Sequence, residues 1–306
     1  MSLPDPGAAQ VEPERYEGPI IDMHLHAYTS ESYWGPAPFG LTGEPSPATA
    51  EEHGAETLAA MDRHGVVLGV VSGDQLAAAE AWAERSPGRF LKGIVVHDPL
   101  ADLELKEFTG WVREGRLDVL AEVGAQYGGY SPSDPAFDPY WDVAEEHGVP
   151  VGIHTGGGPP GTPYRSHPRF RVRLGDPLLL EDMLVAHPDL RVFVMHAGGF
   201  FYERTLQLMQ MHPHVYAEVG VLGHAPAHRR TETLARFLER AKAFGFLDRV
   251  MFGSDQMVWP EAVGVSIEAI QSLDFLTTEE KGAIFYDNAA RFLRLSEEEI
   301  ARHHEM

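Results

Sequence analysis

Six side chains in this sequence have the types and the places from which a divalent metal site is built. His24 and His26 stand in Ile20-Ile21-Asp22-Met23-His24-Leu25-His26, an apolar run that reads as a buried strand. Residues two apart on a strand point to the same face, so both imidazoles aim together where the chain opens into a loop rich in Gly, Pro and Ser. Two converging imidazoles are half of a metal site. A lone His-x-His pair is also what a solvated strand end can carry. Four further residues shift that balance. Glu122 lies near the end of the run 119–123, His154 follows 149–153, His196 follows 190–195, and Asp255 follows 249–253. One histidine at a strand end is usually structural. Four histidines and two carboxylates, each at the same end of its own strand, make a donor set for a metal ion that activates water.

The elements that must position these groups follow a rhythm. Apolar runs fall at 19–24, 66–71, 90–96, 119–123, 149–153, 190–195, 215–219 and 249–253. Helical segments are expected between them at 55–64, 74–86, 101–114, 134–148, 177–187, 201–211 and 234–245, and after the last at 262–272 and 278–293. In the fourth, Phe137, Tyr140, Trp141 and Ala144 share one face, with Asp134-Pro135 as the expected N-cap and first residue. Thr277 with Glu280 reads as a capping box, and Ser296 with Glu299 as the start of a tail helix. Eight βα units predict an α/β fold, a (β/α)8 TIM barrel with its site at the C-terminal ends of the strands. The alternative, an open doubly wound sheet, lacks a glycine-rich phosphate fingerprint after the first strand. The expected division is a loose lead-in at 1–18, one barrel at 19–293 and a tail at 294–306.

Composition narrows the function classes. The 306 residues, 43% of them hydrophobic, are ample for one large core. There is no cysteine, which excludes disulfides, thiolate zinc sites and a cysteine nucleophile. Asp plus Glu number 46 against 24 Lys plus Arg, a formal net charge of −22. That field repels phosphate backbones and anionic membranes, so neither nucleic acid nor a membrane is an expected partner. No run approaches the roughly 18 apolar residues of a membrane span, and the first residues lack a signal-peptide pattern, so the cytoplasm is the expected location.

The motifs Asp22-Met23-His24-Leu25-His26, Ile153-His154-Thr155-Gly156, Met195-His196-Ala197-Gly198-Gly199 and Arg249 to Asp255, with the tail Asn288-Ala289-Ala290-Arg291-Phe292, carry a resemblance. From about residue 19 to 293 the chain resembles the amidohydrolase superfamily, specifically its amidohydrolase-2 branch of metal-dependent hydrolases. That branch also holds nonoxidative decarboxylases of aromatic or muconate-like acids. The resemblance implies that His24, His26 and His154 are metal ligands. It makes Asp255 a ligand that also takes a proton from the attacking water. It makes His196 a ligand of a second ion or a free proton carrier. Many relatives with two metals bridge them by a carboxylated lysine after strand 4. The four lysines here (Lys92, Lys106, Lys242, Lys281) all lie elsewhere, and strand 4 offers Glu122. Glu122 is similar to the bridging glutamate of the superfamily's metal-dependent deoxyribonucleases. A bridging Glu122 implies two ions and hydrolysis; a Glu122 that only orients a histidine leaves one ion and favours decarboxylation.

The expected activity is hydrolysis of a small carbonyl-type substrate, a lactone, amide or ester. The alternative is a metal-dependent decarboxylase of an aromatic or unsaturated acid. A catalytically dead barrel that only binds is disfavoured by the intact donor set. Zinc is the first expectation for the ion, with manganese or iron as alternatives, one or two per chain; a homodimer is a guess from the family. Substrate contacts are expected from His97, His224, and Tyr164 with Arg165 in the loop after strand 5, where a guanidinium could clamp a carboxylate. Glu218, acidic in an apolar strand, reads as support for a ligand or as a barrel plug. The long loops 27–54 and 156–175 are expected to shape the pocket. His53 reads as a capping or surface residue.

Overall fold

The computed structural model describes residues 13–98, 101–224 and 231–306. Its first strand, β1 (Ile20–His26), is buried at all seven positions. A strand without a solvent face must be covered on both sides, which parallel barrels achieve with helices outside and packed side chains within. Among the described residues seven more strands follow: β2 (Val66–Gly73), β3 (Phe90–Ile94), β4 (Leu120–Val123), β5 (Val151–His154), β6 (Val192–Met195), β7 (Tyr216–Glu218) and β8 (Val250–Met251). β1, β2 and β3 pair in order, as do β4 to β8, all in parallel.

Two seams close the ring. At the first, the Val96 amide donates to the Glu122 carbonyl (2.9 Å) and the Gly124 amide to the Val96 carbonyl (2.8 Å). At the second, the Met23 amide donates to the Phe252 carbonyl (3.0 Å) and the Asp255 amide to the His24 carbonyl (2.9 Å). The fold is therefore the expected (β/α)8 barrel. Both seams run through candidate site residues, so closing the barrel also places Glu122, His24 and Asp255.

The helices are α1 (Ala50–Arg63), α2 (Leu76–Arg85), α3 (Leu105–Arg113), α4 (Ala125–Gly128), α5 (Asp138–His147), α6 (Thr162–Arg165), α7 (Glu181–Ala186), α8 (Tyr202–Met211), α9 (Thr231–Phe244), α10 (Glu261–Gln271), α11 (Thr278–Gly282), α12 (Asn288–Leu293) and α13 (Glu297–Glu305). Both expected capping boxes form, at Thr277–Glu280 and Ser296–Glu299. Between α11 and α12 the helix passes through a π-helical turn, Ala283–Asp287, whose Ile284 carbonyl accepts the Phe252 amide (2.9 Å). No helix among the described residues is long and apolar enough to cross a membrane.

The third helix begins at Leu105 rather than 101, and four further local readings differ. α1 begins at Ala50 rather than 55, because Thr49 Oγ1 caps the Glu52 amide (3.1 Å) and Glu52 returns to the Ala48 amide (3.0 Å). α5 begins at Asp138: Asp134 turns back onto the Ala136 amide (3.0 Å) and makes a turn before the helix. Residues 13–18 are not a loose lead-in. Gln271 brackets Tyr16, Lys281 donates to the Glu14 carbonyl (2.6 Å), and Arg15 pairs with Glu268 (2.7 Å). The rest of that expected lead-in, residues 1–12, lies outside the described residues.

His53 is the fourth. It is fully buried on α1, walled by the rings of Tyr28, Tyr33 and Trp82 at 5.5, 5.6 and 5.6 Å, and neither ring nitrogen makes a well-formed hydrogen bond. Burial lowers its pKa to about 4. The unfolded chain protonates it near 6.5, so its contribution is complete above that value and is lost as the pH falls from about 6.5 towards 4. Between pH 7 and pH 5 the wild type is expected to lose about 2 kcal/mol more stability in urea unfolding than His53→Phe. Equal losses in the two proteins would contradict this account.

Candidate metal centre

The barrel brings all six predicted donors to one mouth, each 8% exposed or less. His24 and His26 leave the end of β1 with their Nε2 atoms 3.1 Å apart. Asp255 Oδ1 lies 3.0 Å from His26 Nε2 and 3.6 Å from His24 Nε2. Glu122, on β4, faces two ways. Its Oε2 is 3.6 Å from His24 Nε2 and 3.7 Å from His26 Nε2. Its Oε1 is 3.6 Å from His154 Nε2 and 3.5 Å from His196 Nε2.

Two of the rings are held from behind. His24 Nδ1 faces Glu218 Oε2 (3.4 Å), and His196 Nδ1 donates to the Gly220 carbonyl (3.0 Å). Both Nε2 atoms are thereby turned to the cavity, the pattern by which outer partners set a metal ligand's tautomer. Glu218 is fully buried and also accepts the amides of His196 (3.2 Å) and Gly220. Glycines make room for it: a Cβ at Gly253 would stand 2.1 Å from Glu218 Oε1. Gln256 clasps His26, accepting its amide (2.8 Å) and donating to its carbonyl (2.9 Å). Asp22 Oδ1 accepts the amides of His24 (3.0 Å) and Ser254 (2.9 Å), tying β1 to β8. His196, Ala197 and Asp255 adopt positive φ of 60°, 47° and 50°. Such non-glycine conformations cost about 1–3 kcal/mol each and are typical of functional sites.

The electrostatics call for cations. Glu122, Glu218 and Asp255 bring three carboxylates into a buried space among four histidines. Burial pushes Asp255 and Glu122 up, but the neighbouring imidazoles outweigh it and hold both below the usual carboxylate range. Burial pulls His24 down, and Asp255, Glu122 and Glu218 override it and raise His24 well above its ordinary value. His154 is different: burial dominates and lowers it to about 3, so it is a neutral imidazole. Asp255 Oδ1 is buried without a well-formed hydrogen bond. Tetrahedral ligands at about 2.0–2.1 Å from a zinc ion stand about 3.3 Å from one another. The donor separations of 3.0 to 3.7 Å bracket that value. Three donor groups fall within the required reach, His24/His26/Glu122, His24/His196/Asp255 and Glu122/His154/His196. The donor set fits a divalent cation.

The expected substrate residues divide. His97 stacks on Tyr127 (4.8 Å), whose ring meets His154 edge-on (5.1 Å). His224 is buried and donates from Nε2 to the Asp255 carbonyl (3.0 Å), so it supports the backbone of the site. Tyr164 and Arg165 are not brought to the cluster. Tyr164 is 91% exposed, and Arg165 lies on the same exposed turn, α6. The same loop does reach Tyr127 through Gly158 and Phe170, while Tyr164 and Arg165 turn outward. Reading by residue type missed Gln126, Tyr127, His167 and Gln256. Tyr127 and His167 meet at 5.0 Å. The available signal was position: Gln126 and Tyr127 follow Glu122 at the end of β4, and Gln256 follows Asp255. The loop after β1 does cover the site, with Tyr28 stacked on His26 (6.3 Å) and Phe39 against His224 (5.8 Å).

Residues 21–295 match the family model described as Amidohydrolase. The chain belongs to the amidohydrolase family. The search of curated proteins returned no match. Among solved structures, it is similar to an uncharacterized TIM-barrel protein from Bordetella bronchiseptica, at 19% identity and TM-score 0.65 over 90% of this chain and 98% of that one. A probable 2-pyrone-4,6-dicarboxylic acid hydrolase from Acinetobacter baumannii is similar at 15% identity and TM-score 0.63, covering 90% and 99%. A 5-carboxyvanillate decarboxylase from Novosphingobium aromaticivorans, with manganese bound, is similar at 16% identity and TM-score 0.61, covering 91% and 98%. At such identities the likeness shows the barrel fold alone, and these neighbours include both a hydrolase and a decarboxylase.

Burial pushes Asp22 up to about 7, and its Oδ2 has no partner. Its work is done by one oxygen accepting two amides. Asp22→Asn keeps that oxygen and is expected to stay within about 1 kcal/mol of wild type, whereas Asp22→Ala strands two buried N–H groups and costs about 2–6 kcal/mol. Thermal unfolding of the two variants checks the order; equal losses would remove Asp22 from this role.

Proposed function

We propose that the chain is a binuclear metal-dependent hydrolase acting on a small carbonyl-type substrate, a lactone, amide or ester. The observation that carries this reading is Glu122, whose two oxygens face separate histidine pairs, His24/His26 and His154/His196, at 3.5 to 3.7 Å. A carboxylate so placed is arranged to bridge two ions. In this reading His24, His26 and Asp255 would hold one, His154 and His196 would hold the other, and Glu122 would serve both. Zinc suits the imidazole and carboxylate donors; manganese and iron share that preference. Divalent ions held there would supply Lewis-acid polarisation of a carbonyl oxygen and a water pKa lowered towards about 7.

The chain's own residues do the rest. Asp255 accepts the proton of the attacking water, the task of a positioned carboxylate base. His196, with Nδ1 committed to the Gly220 carbonyl, keeps its lone pair on the cavity side. Tyr28, in the loop after β1, stands beside His26, and Tyr127, on α4 after β4, stands beside His154, so the two rings supply aromatic walls. A flat substrate fits between such walls.

Those walls also favour a second reading, a decarboxylase of an aromatic or unsaturated acid with one ion. Elemental analysis beside Glu122→Gln separates the two. About two equivalents of metal per chain, falling towards one in the variant with a loss of at least about 100-fold in lactone or amide hydrolysis, is the expected result. About one equivalent in both proteins, with CO2 released from carboxylated aromatics, would move the reading to the lyase. No metal after reconstitution with Zn²⁺ or Mn²⁺ would end both.

A further inference from the structure

The barrel has a second cleft at the end away from the metal centre. It lies where β4, β5 and β6 begin, beside the C-terminal ends of α3, α5 and α12, and encloses about 500 Å³. That is room for a small molecule. Leu91, Val149 and Leu293 belong to its apolar lining, and Arg113, His147, Arg191 and Arg294 bring basic groups to it.

Acidic side chains outnumber basic ones 46 to 24 in this chain, yet Arg113, Arg191 and Arg294 form no ion pair among the described residues. The two carboxylates of the cleft, Asp118 and Glu299, are committed elsewhere. Asp118 accepts the Lys92 amide (2.8 Å) and pairs with its Nζ (3.3 Å), and Glu299 accepts the Ser296 amide (2.7 Å) and hydroxyl (2.6 Å). Arg191 is held in place. One amino nitrogen donates to the Phe292 carbonyl (2.6 Å), the other to the Gly148 carbonyl, and the guanidinium lies 5.9 Å from the Phe292 ring. Its Nε is buried without a hydrogen-bond partner. Burial, with the charge of Arg294 added, lowers Arg191 to about 10. Helix-end carbonyls account for the pose of Arg191. They do not account for Arg113, His147 and Arg294, which line the same space, are exposed and make no side-chain hydrogen bond among the described residues.

We propose that this cleft binds a small organic phosphate, a monoester with an apolar body. A planar guanidinium matches phosphate oxygens in pairs, and a dianion answers charges that the protein leaves unanswered. The apolar lining covers the body of the ester. A nucleic acid does not suit the cleft, because a net charge of −22 repels a polyanion that extends beyond it. None of the six candidate metal donors lines this cleft, so the proposal stands apart from the proposed reaction.

The test is calorimetric titration of the full, metal-loaded chain with phenyl phosphate, and with inorganic phosphate at equal ionic strength. One saturable phenyl phosphate site is expected, with inorganic phosphate weaker by about fivefold or more because it lacks the apolar body. Arg113→Gln and Arg294→Gln are each expected to weaken phenyl phosphate by about tenfold, with unchanged circular dichroism and metal content. Wild-type affinity in the double variant Arg113→Gln/Arg294→Gln places the phosphate on the metal centre and overturns the proposal. No saturation by about 10 mM phenyl phosphate overturns it as well, leaving arginines that only answer helix C-termini. Equal affinity for the two phosphates refutes the apolar body. Should the double variant lose its fold, the two single variants decide by the same rule.

Discussion

Three carboxylates, Glu122, Glu218 and Asp255, are packed out of water at the mouth of this barrel, and their charge must be answered there. Four histidines surround them, and His24 and His196 have their pKa values raised by the carboxylates even though burial works in the opposite sense. Protons on imidazoles are one answer and divalent ions are another. The donor atoms are spaced for the second, and Glu218 and the Gly220 carbonyl hold the His24 and His196 rings from behind. Most of the unusual features of the mouth follow from this requirement: the glycines packed against Glu218, the left-handed turns at His196 and Asp255, and the clasp of Gln256 on His26.

The barrel accepts these costs because it is anchored elsewhere. Most strand positions are buried, and the helices outside pack on large rings such as Phe137 and Trp141, stacked at 5.3 Å. The tail contributes as well, with Tyr286 bonded to His303 of α13 (2.9 Å). The charged mouth and the apolar body meet at the two seams. There a single residue can serve both, as Asp22 does in joining β1 to β8 while holding the His24 amide. Stability and function are therefore coupled at the seams more than in the helical shell.

Much of the site was legible from residue type and position. Period-two geometry on β1 aimed His24 and His26 together, and the same end of each strand carried Glu122, His154, His196 and Asp255. The helical faces and both late capping boxes were legible for the same reason, since their signals are local. Where local signals compete, the reading slipped. Thr49–Glu52 is a capping pair in the sequence, but Gly54, two residues past Glu52, weakens the helical signal there; a Cβ at that glycine would stand 2.9 Å from Trp82 Nε1. His53 looked like a helix-end residue because nothing local reports that loop aromatics fold over it.

The sequence by itself determined the fold class, the family and the six candidate donors, because hydrophobic period and strand-end position are local properties that a parallel barrel converts directly into a shared rim. Tertiary structure alone decided which oxygen of Glu122 faces which pair of histidines. It alone placed Gln126 behind His154, withdrew Tyr164 and Arg165 from the cluster, and put Tyr127 and His97 beside it. These are relations between side chains on different strands and loops. Their separations depend on how the ring closes and where each loop turns, and no spacing along the chain encodes them.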